Sequence, residues 1–149
     1  MATRRPPTPD AQDCAEIHNL YSYYNLTSDA GDAEAYASCW TDDGALRIPE
    51  LGFEMKGRDA LIAFKKKDKA GRAGKYRRHW NGAIFLERLD ERTVRGRCYL
   101  HGLNGMPGTL PDLADAGVYE DLIVKLDGEW RFASRTITMD ACSWRPPAS

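Results

Sequence analysis

The feature that most constrains the fold is a change in hydrophobic pattern, from helix-like spacing in the first half of the chain to strand-like segments in the second half. The second half predicts four long strands, and Asp127-Gly128 between the last two is a strong hairpin signal. These strands are predicted over residues 77–89, 93–103, 118–126 and 129–139. The first half predicts three helices, with a short hairpin over residues 45–57 before the third. Helices and strands segregated in this way predict an α+β domain, with three helices on one side of a curved antiparallel sheet.

The junction between the first two helices carries an acid at the edge of an apolar stripe. The stripe, spaced i, i+3, i+4 and i+7, consists of Ile17, Leu20, Tyr21 and Tyr24. Asp10 or Asp13 is a possible cap for the first helix, Gly31 is predicted to end it, and Asp32 is predicted to cap the second. Asp29 lies where the stripe gives way to the turn. It therefore either closes the turn or belongs to an active site.

Length and charge exclude several classes of protein. The 149 residues suit one domain, predicted over 10–143 between a disordered lead (1–9) and a tail (144–149). A net charge of -1 argues against a nucleic-acid partner. The sequence contains no apolar run long enough to cross a membrane and no apolar core of a signal peptide, so a cytoplasmic location is predicted.

The cysteines and histidines do not predict a metal site. Four scattered cysteines form no Cys-x-x-Cys pair and have no histidine at ligand spacing: Cys14, Cys39, Cys98 and Cys142. Reduced thiols are therefore expected, with neither a structural zinc ion nor a disulfide framework.

Three further segments have predicted roles. Residues 41–44 are predicted to form a turn, and residues 102–117 a long loop that is either a lid or a variable surface segment. Residues 65–69 are predicted to be a solvated helix end whose lysines suit the helix dipole, with a phosphate site as the weaker alternative. Arg135 is predicted to be a surface or interface charge.

Several short motifs, taken in order, resemble one known family. They are Ser28-Asp29-Ala30-Gly31-Asp32, Cys39-Trp40-Thr41-Asp42-Asp43-Gly44, Lys56-Gly57-Arg58-Asp59-Ala60, Arg78-His79, Gly117-Val118-Tyr119-Glu120-Asp121 and Leu126-Asp127-Gly128-Glu129-Trp130-Arg131-Phe132. In this order the chain resembles the SnoaL-like branch of the NTF2-like superfamily, whose fold is a cone-shaped α+β domain. The fold alone says little about the reaction, because it hosts many functions.

The resemblance implies which residues would form the site. Scytalone dehydratase, bile-acid 7α-dehydratase and hexachlorocyclohexane dehydrochlorinase types carry an aspartate and a histidine that match Asp29 and His79. The bile-acid type also has a tyrosine that matches Tyr24. Its second acid would fall near His101-Gly102, where this chain has none, and the arginine of the dehydrochlorinase type falls at or near Lys125.

An aspartate beside a histidine is a small general base, because the carboxylate holds one ring nitrogen and leaves the other free for substrate. Tyr24 or Tyr119 would polarise a carbonyl, and no metal or organic cofactor is required. The expected function is elimination by a dehydratase-like lyase on an apolar, cyclic carbonyl compound. A polyketide-type cyclase or isomerase is the alternative, and a ligand-binding or dioxygenase β-subunit-like module is the non-catalytic alternative.

Each candidate residue also has a purely structural interpretation. Asp29 could only close its turn, and His79, Tyr24 and Tyr119 could be core residues. Other candidates are Asn81, which shares strand parity with His79, His101 at the rim, and the wall residues Trp40, Phe53, Met55 and Met139. Besides a small-molecule substrate, the resemblance implies a homodimer or homotrimer.

Overall fold

The computed structural model describes residues 4–146 and contains three helices and six strands in that range. The helices are α1 (Ala11–Ala30), α2 (Ala33–Ser38) and α3 (Arg58–Ala70). The strands are β1 (Trp40–Ile48), β2 (Phe53–Lys56), β3 (Tyr76–Arg88), β4 (Thr93–Gly105), β5 (Asp112–Leu126) and β6 (Glu129–Cys142). The ends of the predicted lead and tail, residues 1–3 and 147–149, lie outside the described range.

The strands form one curved, unclosed sheet in the order β2-β1-β6-β5-β4-β3, with the helices packed against it. The predicted α+β architecture is confirmed. One pair departs from the antiparallel pattern, because β1 runs parallel to β6 and the sheet is therefore mixed. These two strands are far apart in the chain, so no tight turn forces them to run in opposite directions.

The predicted helix boundaries at the first junction are confirmed. Asp10 caps α1 by accepting a 2.9 Å hydrogen bond from the backbone N–H of Asp13, and Asp32 caps α2 by accepting one of 3.1 Å from Ala35. Gly31 ends α1 in the left-handed conformation, with φ of 73°. The buried side of α1 continues to Ser28, so Asp29 follows directly after it.

An aromatic core lies between α1, α2 and the sheet. Neighbouring ring centroids are 5.1–6.0 Å apart, mostly in edge-to-face or tilted pairs, among Tyr21, Tyr24, Tyr36, Trp40 and Phe132. Trp40, predicted to line a binding site, is instead buried within this core.

Two predicted irregular segments are strand in the structure. Residues 41–44 belong to β1, where the pairing register with β6 shifts between Trp40 and Ala45, so this segment bulges without turning away. The predicted loop over 102–117 is wrong for most of its length, since β4 and β5 pair as far as Asn104 and Asp112. Only residues 106–111 connect them. Glycines and prolines at this tip made the connection look longer than it is.

Both ends of the described range pack against the domain. The carbonyl of Pro7 accepts a 2.8 Å hydrogen bond from the backbone N–H of Arg88. After β6 the chain leaves the sheet, and the Trp144 ring packs edge-on against Phe53 and Phe64. Within residues 4–146, no helix is long and apolar enough to span a membrane.

Candidate functional site

The Asp29 carboxylate lies directly against the His79 imidazole. Its Oδ1 is 2.5 Å from Nδ1 of His79, and its Oδ2 accepts a 3.0 Å hydrogen bond from the backbone N–H of His79. The side chains of Asp29 and His79 are 9% and 16% exposed. This double contact orients the ring, and Nε2 makes no hydrogen bond to any other described residue. The imidazole therefore has one nitrogen held and one available.

Local geometry explains why these two residues meet. Asp29 is placed by the end of α1, where Arg72 donates hydrogen bonds to the carbonyls of Ser28 (2.8 Å) and Asp29 (2.5 Å). On β3, alternation turns His79 toward α1 and leaves the neighbouring Trp80 70% exposed on the opposite face. A helix end and the start of a strand thus converge on one point.

His79 lines a cavity of about 60 Å³ between α1, α2, α3 and the sheet. This volume holds a few water molecules and is smaller than the ~300–1,000 Å³ of most ligand pockets. The wall is mixed: apolar side chains form much of it, as the sequence suggested, but charged side chains also reach it from α3, β3 and β5. The charged residues are Lys65, Asp68, Arg77 and Asp115.

Three tyrosines present hydroxyl groups in this region. Tyr24, Tyr36 and Tyr119 all line the cavity, and the hydroxyl oxygens of Tyr24 and Tyr36 are 3.4 Å apart. Burial raises the pKa of all three phenols above the ordinary value, so they stay protonated and act as donors. Tyr36 was not among the predicted site residues, because nothing in its spacing distinguishes a cavity phenol from a core phenol.

Behind these phenols lies a fully buried ion pair that the sequence did not predict. Arg135 donates to Asp121 through Nε (2.7 Å) and Nη2 (2.8 Å), and both side chains are 0% exposed. The guanidinium also stacks on Tyr119 and Tyr24, 3.9 and 4.3 Å from their ring centroids. The predicted surface position of Arg135 is therefore wrong.

A strand bulge explains the error. Leu122 pairs with Ser134 while Ile123 pairs with Phe132, so one extra residue of β6 shifts its alternation. Before the shift Phe132 faces inward, and after it Arg135 does. The alternation of β5 is unbroken and buries Tyr119, Asp121 and Ile123. It could have shown that Asp121 is buried, and a buried carboxylate needs a cationic partner.

The end of α3 is also buried, contrary to the predicted solvated helix end. Leu61, Phe64, Lys65 and Asp68 form its buried side, with the i, i+3, i+4, i+7 spacing of an inward-facing stripe. Asp68 accepts hydrogen bonds from Arg72 (2.7 Å) and Arg77 (2.8 Å) and a longer one from Lys65 (3.4 Å). The other lysines of the run, Lys66, Lys67 and Lys69, are exposed as expected.

Some of the remaining predicted site residues line the cavity, and the others lie away from it. Met139 lines the cavity, as do Tyr24 and Tyr119. Asn81 shares the inner face with His79 but accepts a 2.7 Å hydrogen bond from Asn25 away from the cavity, while Phe53 and Met55 pack in or against the core. His101 is exposed, because alternation on β4 points its neighbour Leu100 inward. The prediction that His101 contributes to the site is therefore wrong.

Asp115 supplies a carboxylate where the resemblance suggested that one was missing. It pairs with Gly102, and its Oδ2 lies 2.8 Å from the position that a Cβ of Gly102 would take. Its Oδ1 accepts hydrogen bonds from the backbone N–H groups of Ser143 (2.9 Å) and Trp144 (3.2 Å). Asp115 was missed because the segment around it was predicted to be loop.

Across residues 4–146, no group of three or more His, Cys, Asp or Glu side chains is arranged to hold a metal ion.

Comparison with known proteins agrees with this architecture. Aln2 from a Streptomyces species has a TM-score of 0.81 at 21% identity, over 90% of this chain and 95% of that chain. ActVI-ORFA from Streptomyces coelicolor has a TM-score of 0.79 at 24% identity, over 87% and 98% of the two chains. A variant of Rv3472 from Mycobacterium tuberculosis, described as of unknown function, has a TM-score of 0.78 at 25% identity, over 93% and 78%.

These likenesses support the fold and not a particular reaction. No curated protein matches the chain. The family model described as a SnoaL-like domain matches residues 9–136, which is most of the chain and includes Asp29, His79 and Asp115. The chain therefore belongs to the SnoaL-like family.

Proposed function

We propose that this protein is an enzyme in which the Asp29–His79 pair removes a proton from a carbon beside a carbonyl group. The observation that carries the proposal is the 2.5 Å contact between Asp29 Oδ1 and His79 Nδ1, with the ring at the cavity wall. The contact holds the proton on Nδ1 and leaves the Nε2 lone pair for substrate. A positioned base of this kind contributes about 10²–10⁴-fold in rate.

The phenols supply the second requirement of this chemistry. Removing the proton places negative charge on the carbonyl oxygen, and the hydroxyl groups of Tyr24 and Tyr36, 3.4 Å apart, could both donate to it. Because burial keeps these phenols protonated, they would act as hydrogen-bond donors and not as bases. No organic cofactor or metal is used in this step.

Elimination is our first choice for the fate of the enolate. The C–H electron pair forms the enolate, which then forms the new C=C bond as a hydroxyl leaves the next carbon. His79 returns its proton to that hydroxyl, so the product is water. A cyclase would use the same enolate carbon to attack a second carbonyl, and an isomerase would reprotonate it elsewhere. All three reactions share the proton transfer assigned to His79.

The shared step can be tested without knowing the natural substrate. Small ketones, including cyclohexanone and 2-tetralone, would be incubated with the protein in D₂O, and loss of their α-protons followed by NMR. Wild-type protein should accelerate exchange, and His79→Gln should reduce the acceleration by about 10²-fold or more. Tyr24→Phe should reduce it less, since Tyr36 would still donate.

A matched control separates catalysis from folding. His101→Gln changes an exposed histidine on the outer face and should exchange protons like the wild type. Equal acceleration by wild type and His79→Gln would contradict the proposal, provided that circular dichroism shows both variants folded.

A non-catalytic role is the second candidate, and two observations favour it. The cavity is only about 60 Å³, and Trp80 and Tyr99 are 70% and 60% exposed on the same outer face of β3 and β4. A module that docks through this face would show no exchange with any ketone, and Trp80→Glu would weaken its assembly. The same surface would serve the predicted homodimer or homotrimer, which light scattering of wild type and Trp80→Glu would detect.

A further inference from the structure

Four residues form a buried charged group at the cavity, called here the α3 cluster: Lys65, Asp68, Arg72 and Arg77. Three cations surround one carboxylate. Arg72 and Arg77 approach the Asp68 oxygens to 2.7 and 2.8 Å, and Lys65 approaches to 3.4 Å. Against the opposing effect of burial, the positive charges of Lys65, Arg77 and Arg72 together hold the pKa of Asp68 well below its usual range. The cluster therefore carries two more positive charges than negative ones.

Lys65 is the least compensated member. Its side chain is 4% exposed, and its shortest hydrogen bond, 2.9 Å, goes to the neutral hydroxyl of Ser28. It also lies over the faces of the Tyr36 and Phe64 rings, 4.5 and 5.2 Å from their centroids. A buried ammonium usually has a close anionic partner, because leaving water is costly for a charge. Among residues 4–146 the only carboxylate within 4.0 Å of Lys65 is that of Asp68, which also contacts two closer arginines.

The cluster also has more donors than acceptors. Nε of Arg72 is buried and has no acceptor among the described residues. Asp115, the other carboxylate of the cavity wall, forms no ion pair within 4.0 Å in the described range, and its Oδ1 accepts from the tail instead. Lys65 and Arg77 both line the cavity, so the uncompensated charge faces the space beside His79.

We propose that Lys65, assisted by Arg77, binds a carboxylate of the substrate, so that the protein prefers small oxo acids to neutral ketones. An ammonium and a guanidinium would give the anion charge-assisted hydrogen bonds. The same site holds His79, so a carboxylate at Lys65 would place the carbon skeleton beside the base. This inference rests on the proposed function for its reaction, but the binding step stands independently of it.

The lowered pKa of Lys65 agrees with a site that lacks its anionic ligand. Burial lowers the pKa of Lys65 to about 8, because the attraction of Asp68 does not offset the loss of water. A bound carboxylate would favour the charged ammonium. The ionisable or charged groups on the surrounding elements are Asp29 on α1, Tyr36 on α2, Asp68 on α3, Arg72 after it, Arg77 and His79 on β3, and Asp115 and Tyr119 on β5.

The test compares pyruvate with pyruvamide, its neutral counterpart of nearly equal size, by calorimetric titration of the full chain at pH 7. Wild type should bind pyruvate about 10-fold or more tightly than pyruvamide. Lys65→Met should lose this preference while keeping its weak affinity for pyruvamide. Lys66→Met, which removes the adjacent exposed lysine of the same helix, should behave like the wild type.

A second measurement needs no variant at Lys65. The affinity of wild type for pyruvate should fall as pH rises from 7 to 10, whereas the affinity for pyruvamide should stay level. If Lys65→Met does not fold, this pH comparison decides. Equal affinity for the two ligands, no detectable pyruvate binding, or unchanged pyruvate affinity in folded Lys65→Met would each overturn the proposal.

His79→Gln separates this inference from the proposed function. It should retain the preference for pyruvate while losing proton exchange. Loss of exchange without any preference for pyruvate would leave the base assigned and refute the anion site. Preference for pyruvate without any exchange in the wild type would support the anion site and refute the catalytic role.

Discussion

Two carboxylates meet cations or bases in the same part of this protein, yet their surroundings differ. Asp29 contacts His79 at the cavity wall, where both side chains retain some exposure and the partner can gain or lose a proton. Asp121 contacts Arg135 with both side chains at 0% exposure, under a cover of aromatic rings. Because arginine stays charged, the second pair cannot change its state.

The comparison separates a pair suited to chemistry from a pair suited to architecture. Proton transfer needs a partner that titrates and a path to substrate, and only Asp29–His79 has both. The Asp121–Arg135 pair has neither, but it supports Tyr24 and Tyr119 from behind. Arg135 stacks on both rings, and Asp121 accepts a short hydrogen bond from the hydroxyl of Tyr21.

The largest expected effect on stability comes from Asp121→Asn. The change keeps the shape but leaves the Arg135 charge buried without a counter-charge, so the free energy of unfolding should fall by about 3–5 kcal/mol. Urea denaturation would measure it. A loss below ~1 kcal/mol would mean that the pair is not the structural centre described here.

Asp29→Asn is the matched change in the other pair. It removes the charge that holds and stabilises the imidazolium, so proton exchange on small ketones should fall about 10²–10⁴-fold. Since both side chains retain some exposure and only His79 lines the cavity, the free energy of unfolding should change by only about 1 kcal/mol. The comparison fails if the two asparagine variants lose equal stability.

Lys65 tests the intermediate case, a cation nearly as buried as Arg135 but able to titrate. Its pKa falls from the ordinary 10.5 to about 8 on folding, so between these values the unfolded chain binds more protons than the native one. The cost of burying the charge is therefore present in full below pH 8 and relieved as pH rises to 10.5.

The free energy of unfolding of wild type should accordingly rise relative to Lys65→Met, by about 3 kcal/mol, between pH 7 and pH 10.5. Denaturant titrations at several pH values would measure the difference, and Lys66→Met should run parallel to wild type. Parallel curves for wild type and Lys65→Met would show that Lys65 is not buried in its charged form.

Gly96→Ala sharpens the description of the buried pair. A Cβ at Gly96 would collide with the Tyr21 hydroxyl, which bonds Asp121, so the free energy of unfolding should fall by about 1–3 kcal/mol. Gly82→Ala is the control, because a Cβ there meets no atom within 4 Å. Equal melting temperatures for the two variants would contradict the tight packing beneath Tyr21.

The sequence was sufficient to predict the architecture and the meeting of Asp29 with His79. Helix caps at Asp10 and Asp32 and the hairpin turn at Asp127-Gly128 are local signals, and they predicted these particular boundaries correctly. The catalytic roles of Asp29, His79 and Tyr24 stay predictions, since placement alone does not establish them.

The features that could not be predicted depend on long-range pairing. Asp115 reaches the cavity only because β4 and β5 pair far beyond their obvious strand segments. Lys65 and Asp68 are buried because Arg72 and Arg77 arrive from outside the helix to meet Asp68, although their spacing continued the stripe of Leu61 and Phe64. A charged residue on an inward stripe can be buried when its partners come from elsewhere in the chain, and spacing alone does not reveal those partners.

The bulge in β6 has a consequence for how this strand can change. One extra residue between Phe132 and Arg135 shifts the phase of inward and outward positions for the residues that follow as far as Met139 at the cavity, after which a second shift occurs. Deleting Ala133 would therefore be absorbed by the bulge, because regular alternation would then keep both Phe132 and Arg135 inward and every later pair with β5 in register. Deleting Thr136 instead, where β6 has no extra residue to lose, would turn Ile137 and Met139 away from the cavity.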